Sequence, residues 1–495
     1  MSILDISMTA AQETIQKARL IPSWRLVVAL TQCFGALAMY MNRININVAI
    51  VCMTGELHSK NLNITGLEAA NTTEISPQIT GAEFGWNRKV RSLILCSFYI
   101  GYVVIQIPTG WFLGKGRGSP KWFTFAGSVV TVLVGYLSPT AARLHWGCLV
   151  AVQIIKGLAN GVFIPCRQVL IATWAPPDER SRLTALSVSG SSLGSIIGFL
   201  SSGALCEMGF AGGWPSVFYI YAGIGTLKLF AWLILVSDSP SNHPFIGEAE
   251  AKYIHSVTWR DLQGGNEKNS VPWKSMLRSP PLYALWTVYF SYHWLWYTAQ
   301  ILLPTFINDV YKIDIKTSGF LISMPYFVNF VVTIMASWLA DFLLKNFLSI
   351  VVVRKIMVTC QFLIPAIMVF TIGFTENQFA VAVFCLTIAV GVSGFARSGH
   401  FVNSIDLAPS YTGAIVAVGN TIGTLAAILV PLVAGVLVPS GTASEWRNVF
   451  YLTAAICLFG NIIFVIFAKG EIQPWAKIEG PDDEISEKTK LRLVH

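Results

Sequence analysis

Five basic residues lie inside long apolar stretches of this sequence, and no acidic residue lies in the middle of any of these stretches. They are Arg43, Lys156, Arg167, Lys228 and Arg397. A cation at the centre of a bilayer costs about 2.5–3.5 kcal/mol even on a lenient insertion scale, so five of them indicate a functional or structural role. Guanidinium groups bind carboxylate and phosphate through two parallel hydrogen bonds. The pattern therefore predicts a site for a small anion.

The spacing of these residues supports this interpretation. Lys156 and Arg167 are 11 positions apart, which at about 100° per residue places them within ~20° of the same helix face. Arg397 and His400 are three positions apart and are also expected to share a face. His293 supplies a second imidazole. For Lys228 we favour a plainer explanation, in which its side chain reaches an interface or a backbone carbonyl.

Polar and aromatic neighbours accompany the basic residues. They are Asn45 and Asn47 after Arg43, Asn160 after Lys156, Asn403 after His400, and Tyr292 before His293. We include Asn47, Asn403 and Tyr292 in the predicted binding site. The alternative is that each Asn makes a hydrogen bond between packed helices, and that the aromatic residues serve ordinary packing.

The composition shows which elements must position these residues. The chain has 495 residues, of which 54% are hydrophobic and 12% charged, whereas soluble proteins have about 25% charged residues. Soluble multidomain, disordered and disulfide-stapled classes are therefore excluded. Runs of about 20 apolar residues are long enough to span a bilayer. Twelve are predicted, at 24–54, 90–113, 122–141, 146–173, 184–206, 214–236, 282–307, 318–340, 355–375, 379–402, 411–438 and 447–468.

Two independent signals predict the same orientation. The loop 55–89 contains two N-glycosylation acceptor patterns, at Asn63 and Asn71, which have meaning only on the luminal or extracellular side. The segments assigned to the cytoplasm contain 21 Lys and Arg residues against eight on the other side. The positive-inside rule then places both termini in the cytoplasm.

The chain also divides into two similar halves. Trp214-x-x-Val-Phe-Tyr recurs 232 positions later at Trp446, and Ala175-Pro176 recurs as Ala408-Pro409. We predict six-helix halves at 24–236 and 282–468, a cytoplasmic linker at 237–281, and cytoplasmic tails at 1–23 and 469–495. This all-α arrangement is typical of transporters of the major-facilitator type, with substrate held between the halves. In that arrangement the first, fourth, seventh and tenth spans line the cavity. They contain six of the basic residues, which are Arg43, Lys156, Arg167, His293, Arg397 and His400.

Other functions find little support. The net charge of +8 is explained by cytoplasmic loops and buried cations, so we expect no nucleic-acid partner. The nine cysteines lie in apolar stretches without metal-ligand spacing, and we interpret them as packing residues. No enzymatic motif is recognised, and we expect no bound metal or cofactor beyond a co-transported sodium ion or proton.

Several motifs resemble those of solute carrier family 17, the anion:cation symporter branch of the major facilitator superfamily. They are Tyr40-Met-Asn-Arg43-Ile-Asn45-Ile-Asn47, Trp174-Ala-Pro-Pro-Asp-Glu-Arg180, Leu339-Ala-Asp341 with Val353-Arg354-Lys355, Ile405-Asp406-Leu-Ala-Pro409, and Phe467-Ala-Lys-Gly470-Glu471. The family includes sialin, vesicular glutamate transporters and sodium-dependent phosphate transporters. The resemblance implies anion transport, with Arg43 meeting the substrate and Asp341, Arg354 and Arg180 in motifs that act in conformational change.

The sequence also departs from the proton-coupled members of the family. Gln153, Lys156 and Asn160 stand where those members have an arginine and two glutamates. Proton coupling needs a group that titrates, and His293 and His400 remain as candidates. We therefore favour a carrier of phosphate, urate or carboxylate that is driven by sodium or potential. The alternatives are a proton-coupled vesicular transporter and an anion channel or sensor. We expect a monomer in the plasma membrane or a vesicular or lysosomal membrane.

Overall fold

The structure, a computed structural model, describes residues 23–54, 83–114, 117–208, 210–254, 271–313, 315–374 and 378–476. Within these residues the regular structure is entirely helical. Eleven helices are long and apolar enough to cross a membrane. The predicted all-α integral membrane class is thereby confirmed.

Twelve helices correspond to the twelve predicted spans. They are α1 Trp24–Thr54, α2 Arg88–Gly114, α3 Pro120–Leu144, α4 Trp146–Trp174, α5 Pro177–Glu207, α6 Pro215–Leu235, α7 Pro280–Tyr297, α8 Ile315–Asn346, α9 Ile350–Ile372, α10 Phe379–Leu407, α11 Thr412–Leu437 and α12 Ala443–Phe467. The predicted boundaries lie within a few residues of these for most spans. The largest difference is at α7, which ends at Tyr297 instead of the predicted 307. The next largest are at α5 and α8, where polar and charged residues continue the helices beyond their apolar stretches.

The helix α7 differs from the other spans because it is rich in tyrosine, tryptophan and histidine, which lowers its hydropathy. It continues past Tyr297 as a π-helical segment, Thr298–Leu302, a short α-helical turn, Leu303–Phe306, and a second π-helical segment, Ile307–Tyr311. Such π-helical turns are rare and often mark functional positions in helices.

Polar side chains from the linker fix the start of two helices. Glu250 accepts hydrogen bonds from the backbone amides of Trp24 and Arg25, at 3.1 and 3.3 Å, and so caps α1. Asp238 accepts a hydrogen bond of 2.8 Å from the amide of Lys121 in the first turn of α3, where Ser119 is the N-cap residue. A carboxylate at a helix N-terminus satisfies free amides and interacts favourably with the helix dipole.

Small residues allow close packing of neighbouring helices. A Cβ atom on Gly190 of α5 would collide with the carbonyl oxygen of Cys33 in α1, and one on Gly157 of α4 would collide with that of Phe98 in α2. Gly194 and Gly198 also face α1. The glycine spacing in α5 is therefore explained by helix contact, as expected in membrane proteins.

Two of the nine cysteines form a disulfide, so their interpretation as packing residues was wrong for this pair. Cys52 near the end of α1 is bonded to Cys206 near the end of α5. The sequence separation of 154 residues hid the pairing, since nothing local relates the two positions. Both lie at the end of the bundle that is predicted to face the oxidising side of the membrane. The other seven cysteines are free.

Contacts between Cα atoms divide the chain into two units. Unit 1 contains the described residues up to 254 together with Tyr297–Phe327 and Ala427–Val449. Unit 2 contains residues 271–296, Val328–Ala426 and residues 450–476. Unit 1 has a core cluster that includes Val28, Leu170, Trp174, Trp232 and Tyr253. The end of α7 thus packs with the first six helices.

Candidate functional site

Arg43 is the central charged residue of unit 1. Its side chain is buried, and its Nη2 donates a hydrogen bond of 2.6 Å to the hydroxyl of Tyr297. Aromatic rings surround the guanidinium at 4.8–5.6 Å from their centroids, and these rings belong to Tyr40, Phe98, Tyr99, Tyr102 and Tyr297. Cation–π contacts of this kind stabilise a cation that has been removed from water.

The surroundings of Arg43 leave its charge available to an anion. No ion pair with a carboxylate is found for Arg43 among the described residues, and its Nε atom has no hydrogen-bond partner there. A buried guanidinium without a counterion is costly unless a ligand supplies the negative charge. The aromatic cage with its single arginine is therefore suited to a carboxylate or phosphate group.

Neighbouring polar residues of α1 are also buried and are held by other spans. Lys156 Nζ donates a hydrogen bond of 3.2 Å to Oδ1 of Asn45. Asn47 Nδ2 donates one of 2.9 Å to the carbonyl oxygen of Gln300, in the π-helical segment after α7. These contacts assign Asn45 and Asn47 the role of joining helices, which the sequence had left open as an alternative.

Arg167 lies in the second part of α4 and is 9% exposed. Both Arg43 and Arg167 are close enough to the hydroxyl of Tyr102 to interact with it electrostatically. The helix is interrupted at Val162, between the segments Trp146–Gly161 and Phe163–Trp174, so Lys156 and Arg167 do not lie on one uninterrupted helix. Unit 1 nevertheless brings Arg43, Lys156 and Arg167 into the same region through α1, α2 and α4.

Two buried glutamines in unit 1 were not predicted as site residues. Gln153 is 1% exposed and Gln300 is fully buried, and neither side-chain amide has a hydrogen-bond partner among the described residues. Unsatisfied buried amides cost free energy, so they mark positions where water or a ligand is expected. Gln153 could have been predicted as a site residue, because it lies one helical turn before Lys156 in the sequence.

Unit 2 contains a cluster of imidazole and phenol rings. The ring of His400 lies 4.9 Å from that of Tyr289 and 5.3 Å from that of Tyr292, and its Nδ1 is 3.1 Å from Oε1 of Gln361. Nδ1 of His293 is 2.7 Å from the carbonyl oxygen of Tyr289, so this nitrogen is the protonated one. Predicted residues Tyr292, His293 and His400 are therefore brought together, whereas Tyr289 and Gln361 were missed.

Arg397 and His400 do not share a helix face as predicted. Residues Ser393–Arg397 form a 3₁₀ segment, and His400 begins a new α-helical segment, His400–Leu407. Because the helix is broken between them, Arg397 is exposed while His400 is fully buried. The guanidinium of Arg397 lies 4.9 Å from the ring centroid of Phe401.

The structure shows the surroundings of two of the three predicted conformational residues, Arg354 and Asp341. Arg354 donates a hydrogen bond of 2.7 Å to Oδ2 of Asp406 and another of 2.9 Å to the carbonyl oxygen of Ser398, whereas Asp341 is exposed. The side chain of Arg180 lies outside the described residues. Asn403 donates its amide hydrogen to the carbonyl oxygen of Lys469, at 2.9 Å, and so joins α10 to the segment after α12.

Lys228 does not reach an interface, so the interpretation by snorkelling was wrong. It is 5% exposed, and its Nζ donates a hydrogen bond to Oγ of Ser128 and lies 5.0 Å from the ring centroid of Phe163. It lines a cavity of about 20 Å³, room for roughly one water molecule, together with Asn42 and Asn160. Residues of α1, α3, α4 and α6 line this cavity inside unit 1.

The two predicted glycosylation sites, Asn63 and Asn71, lie outside the described residues. Tyr297, which contacts Arg43, was not predicted as a site residue. No local pattern in the sequence relates Tyr297 to Arg43, so this contact was not predicted.

Among the described residues, eleven helices long and apolar enough to cross a membrane, with basic residues buried among them, define a polytopic membrane protein. Comparisons with known proteins identify its kind. Residues 32–431 match the Major Facilitator Superfamily. Human sialin is 34% identical, over 96% of this chain and 97% of its own. Vesicular glutamate transporter 3 of zebrafish, Danio rerio, is 36% identical, over 93% of this chain and 75% of its own.

Solved structures agree on the fold. A bacterial homologue of the human lysosomal transporter Spinster superposes with a TM-score of 0.67 at 12% identity, covering 92% of this chain and 99% of that one. A D-xylose–proton symporter gives a TM-score of 0.66 at 14% identity, covering 90% and 99%. The chain belongs to the major facilitator superfamily and, within it, to solute carrier family 17. It is a membrane transporter and not an enzyme.

Proposed function

We propose that this protein is a secondary active transporter of small organic or inorganic anions that works by alternating access. The observation that supports this proposal is the aromatic cage of Arg43, in which a buried guanidinium has no carboxylate partner among the described residues. Lys156 and Arg167 add positive charge in the same unit. An anion that enters this region replaces lost water contacts with charge-assisted hydrogen bonds.

The relatives favour a carboxylate substrate over an inorganic one. The zebrafish relative is a vesicular glutamate transporter, and glutamate is a carboxylate. The unsatisfied amides of Gln153 and Gln300 offer both donors and acceptors, which a substrate with polar groups beyond its anionic group would use. We therefore place organic carboxylates first, with urate and phosphate as the other classes.

Sodium or the membrane potential is the proposed driving force. The residues that occupy the coupling positions of α4 are Gln153, Lys156 and Asn160, and the last two are engaged with Asn45 and Thr131. No carboxylate is therefore placed at these positions to bind and release a proton. One elementary charge crossing 100 mV is worth ~2.3 kcal/mol, so the potential alone can drive an anion effectively.

A proton-coupled vesicular transporter is the second candidate. It is favoured by the buried imidazole of His400, whose Nε2 has no hydrogen-bond partner among the described residues, and by the vesicular relatives. A histidine changes its charge near neutral pH more readily than any other ordinary side chain.

The decisive experiment is uptake in proteoliposomes with phosphate, urate, glutamate and sialic acid, under sodium, proton and potential gradients imposed one at a time. We expect uptake that saturates, shows counterflow and follows the sodium gradient or the potential. Flux that follows the pH gradient at clamped potential supports the second candidate. Flux without saturation or counterflow indicates a channel.

A matched pair of variants tests the binding site. Arg43→Ala should abolish uptake of every anion, while Lys228→Met, which removes a buried cation outside the aromatic cage, should retain it. Unchanged uptake by purified, folded Arg43→Ala protein would contradict the assignment of Arg43.

A further inference from the structure

The two tryptophans of the sequence repeat each donate a hydrogen bond to a carboxylate in the structure. Trp214, just before α6, donates its indole hydrogen to Glu83 at 2.7 Å, and Trp446, in the first turn of α12, donates to Asp309 at 3.1 Å. Each carboxylate also pairs with an arginine. Glu83 pairs with Arg143 at 2.8 Å. Asp309 pairs with Arg88 at 2.7 Å.

The two sets differ in where the arginine comes from. Glu83, Arg143 and Trp214 all belong to the first half of the sequence. Asp309 and Trp446 belong to the second half, but Arg88 is the first residue of α2 in the first half. The second half has no Lys or Arg between residues 355 and 397, so it lacks an equivalent of Arg143 at the repeat offset. The second set therefore joins the two sequence halves.

The second set is also better shielded from water. The side chains of Arg88 and Asp309 are 19% and 8% exposed, whereas those of Arg143 and Glu83 are 50% and 37% exposed. The backbone of Gly441 lies against the guanidinium of Arg88, so a Cβ atom there would collide with it. An ion pair that is withheld from solvent is less screened and more strongly coupled than an exposed one.

We propose that Arg88, Asp309 and Trp446 form the contact that holds the extracytoplasmic ends of α2, α7 and α12 together, and that breaking it shifts the transporter toward its outward-open state. This inference rests on the proposed function, because alternating access requires segments of the two sequence halves to separate on one side and then on the other. A contact that joins the two sequence halves in only one conformational state shifts the equilibrium between the inward-open and outward-open states. The set formed by Glu83, Arg143 and Trp214 lies within one half and has no such effect.

The experiment measures access to a position beside the Arg43 cage. Thr298, which is 7% exposed, is replaced in a Thr298→Cys reporter, and a membrane-impermeant thiol reagent is applied from the extracytoplasmic side. The same protein without the reporter gives the background from native cysteines. The Asp309→Asn and Arg88→Gln changes should each raise the modification rate about tenfold, as expected when a shielded charge pair is lost from one of two states.

The matched control is Glu83→Gln, which breaks the corresponding exposed ion pair and should leave the rate within about twofold of the parent. Trp446→Phe removes one hydrogen bond and should raise the modification rate less than Asp309→Asn does. If the charge variants do not fold, Trp446→Phe tests the contact in their place. Equal modification rates in the Asp309→Asn, Trp446→Phe and Glu83→Gln proteins would overturn the proposal. The labelling rate is independent of substrate, so this outcome is distinct from a failure of anion uptake.

Discussion

Arg43 and Tyr297 are 254 positions apart in the sequence, and a hydrogen bond of 2.6 Å joins the guanidinium of one to the hydroxyl of the other. The bond connects the middle of α1 to the point where α7 changes from α-helical to π-helical geometry. The orientation of the guanidinium is therefore fixed by a residue from the other half of the sequence. This bond links the proposed anion-binding residue to the end of α7.

The first prediction concerns this bond. Arg43→Lys keeps the positive charge but loses the planar fork, and we expect kcat/KM for the transported anion to fall about 100-fold. Tyr297→Phe keeps the ring and removes the hydroxyl, and we expect a fall of about three- to tenfold, in line with one lost hydrogen bond to a charged group.

Initial uptake rates over a range of substrate concentrations measure both effects. Tyr136→Phe is the control, because Tyr136 is 41% exposed and its ring is not one of those that surround Arg43. If the Arg43→Lys protein transports as well as the parent, a single positive charge is enough to bind the anion. Binding through two parallel hydrogen bonds from Arg43 is then excluded.

The second prediction concerns Lys228, whose ammonium is buried among Ser128, Phe163 and Trp232. Lys228→Met preserves the volume and the contact with the two rings while removing a buried charge. Replacing a buried charge with an apolar group of similar size is often neutral or stabilising. We expect a melting temperature equal to or above that of the parent, and unchanged KM. A tenfold rise in KM would instead place Lys228 on the substrate route.

The third prediction concerns the disulfide between Cys52 and Cys206. Denatured protein treated with maleimide should gain seven labels without reduction and nine after reduction, as counted by intact mass. The Cys52→Ser/Cys206→Ser protein should be less stable by about 2–4 kcal/mol, because the unfolded chain regains freedom. Cys457→Ser, at a free and buried cysteine, is the control for a change in thiol count alone. Nine labels without reduction would refute the pairing.

The fourth prediction concerns the pH dependence of stability. His243 in the linker lies between the rings of Trp24, at 4.4 Å, and Trp174, at 5.5 Å. Burial lowers the pKa of His243, and the charge of Lys121 acts in the same direction. As the pH falls below the ordinary histidine pKa of about 6.5, the unfolded chain binds the proton before the folded protein does, so the free energy of unfolding decreases.

We therefore expect a lower melting temperature at acidic than at neutral pH. His243→Phe keeps the aromatic packing and should reduce this dependence. His145→Phe, at an exposed histidine, is the comparison for losing an imidazole elsewhere. An identical pH profile in the parent and the His243→Phe protein would exclude His243 as a contributor.

The spans were predictable because hydropathy is a local property of the chain. The predicted first span, 24–54, coincides with α1, and most others differ by a few residues. The seventh span was predicted from its length, although its aromatic and histidine content leaves it below the hydropathy of the others. The break between Arg397 and His400 was not predictable from helical periodicity, because it depends on how α10 packs.

The sequence by itself determined that this protein spans a membrane, that it belongs to a transporter family, and that basic residues are buried without carboxylates in the middle of the spans. Only the tertiary structure decided which partner each residue has: Tyr297 for Arg43, Asn45 for Lys156, Ser128 for Lys228, Cys206 for Cys52 and Asp309 for Arg88. The physical reason is that the cost of burying a charge is set by the residue type. The contact that offsets this cost depends on which helices are neighbours in space.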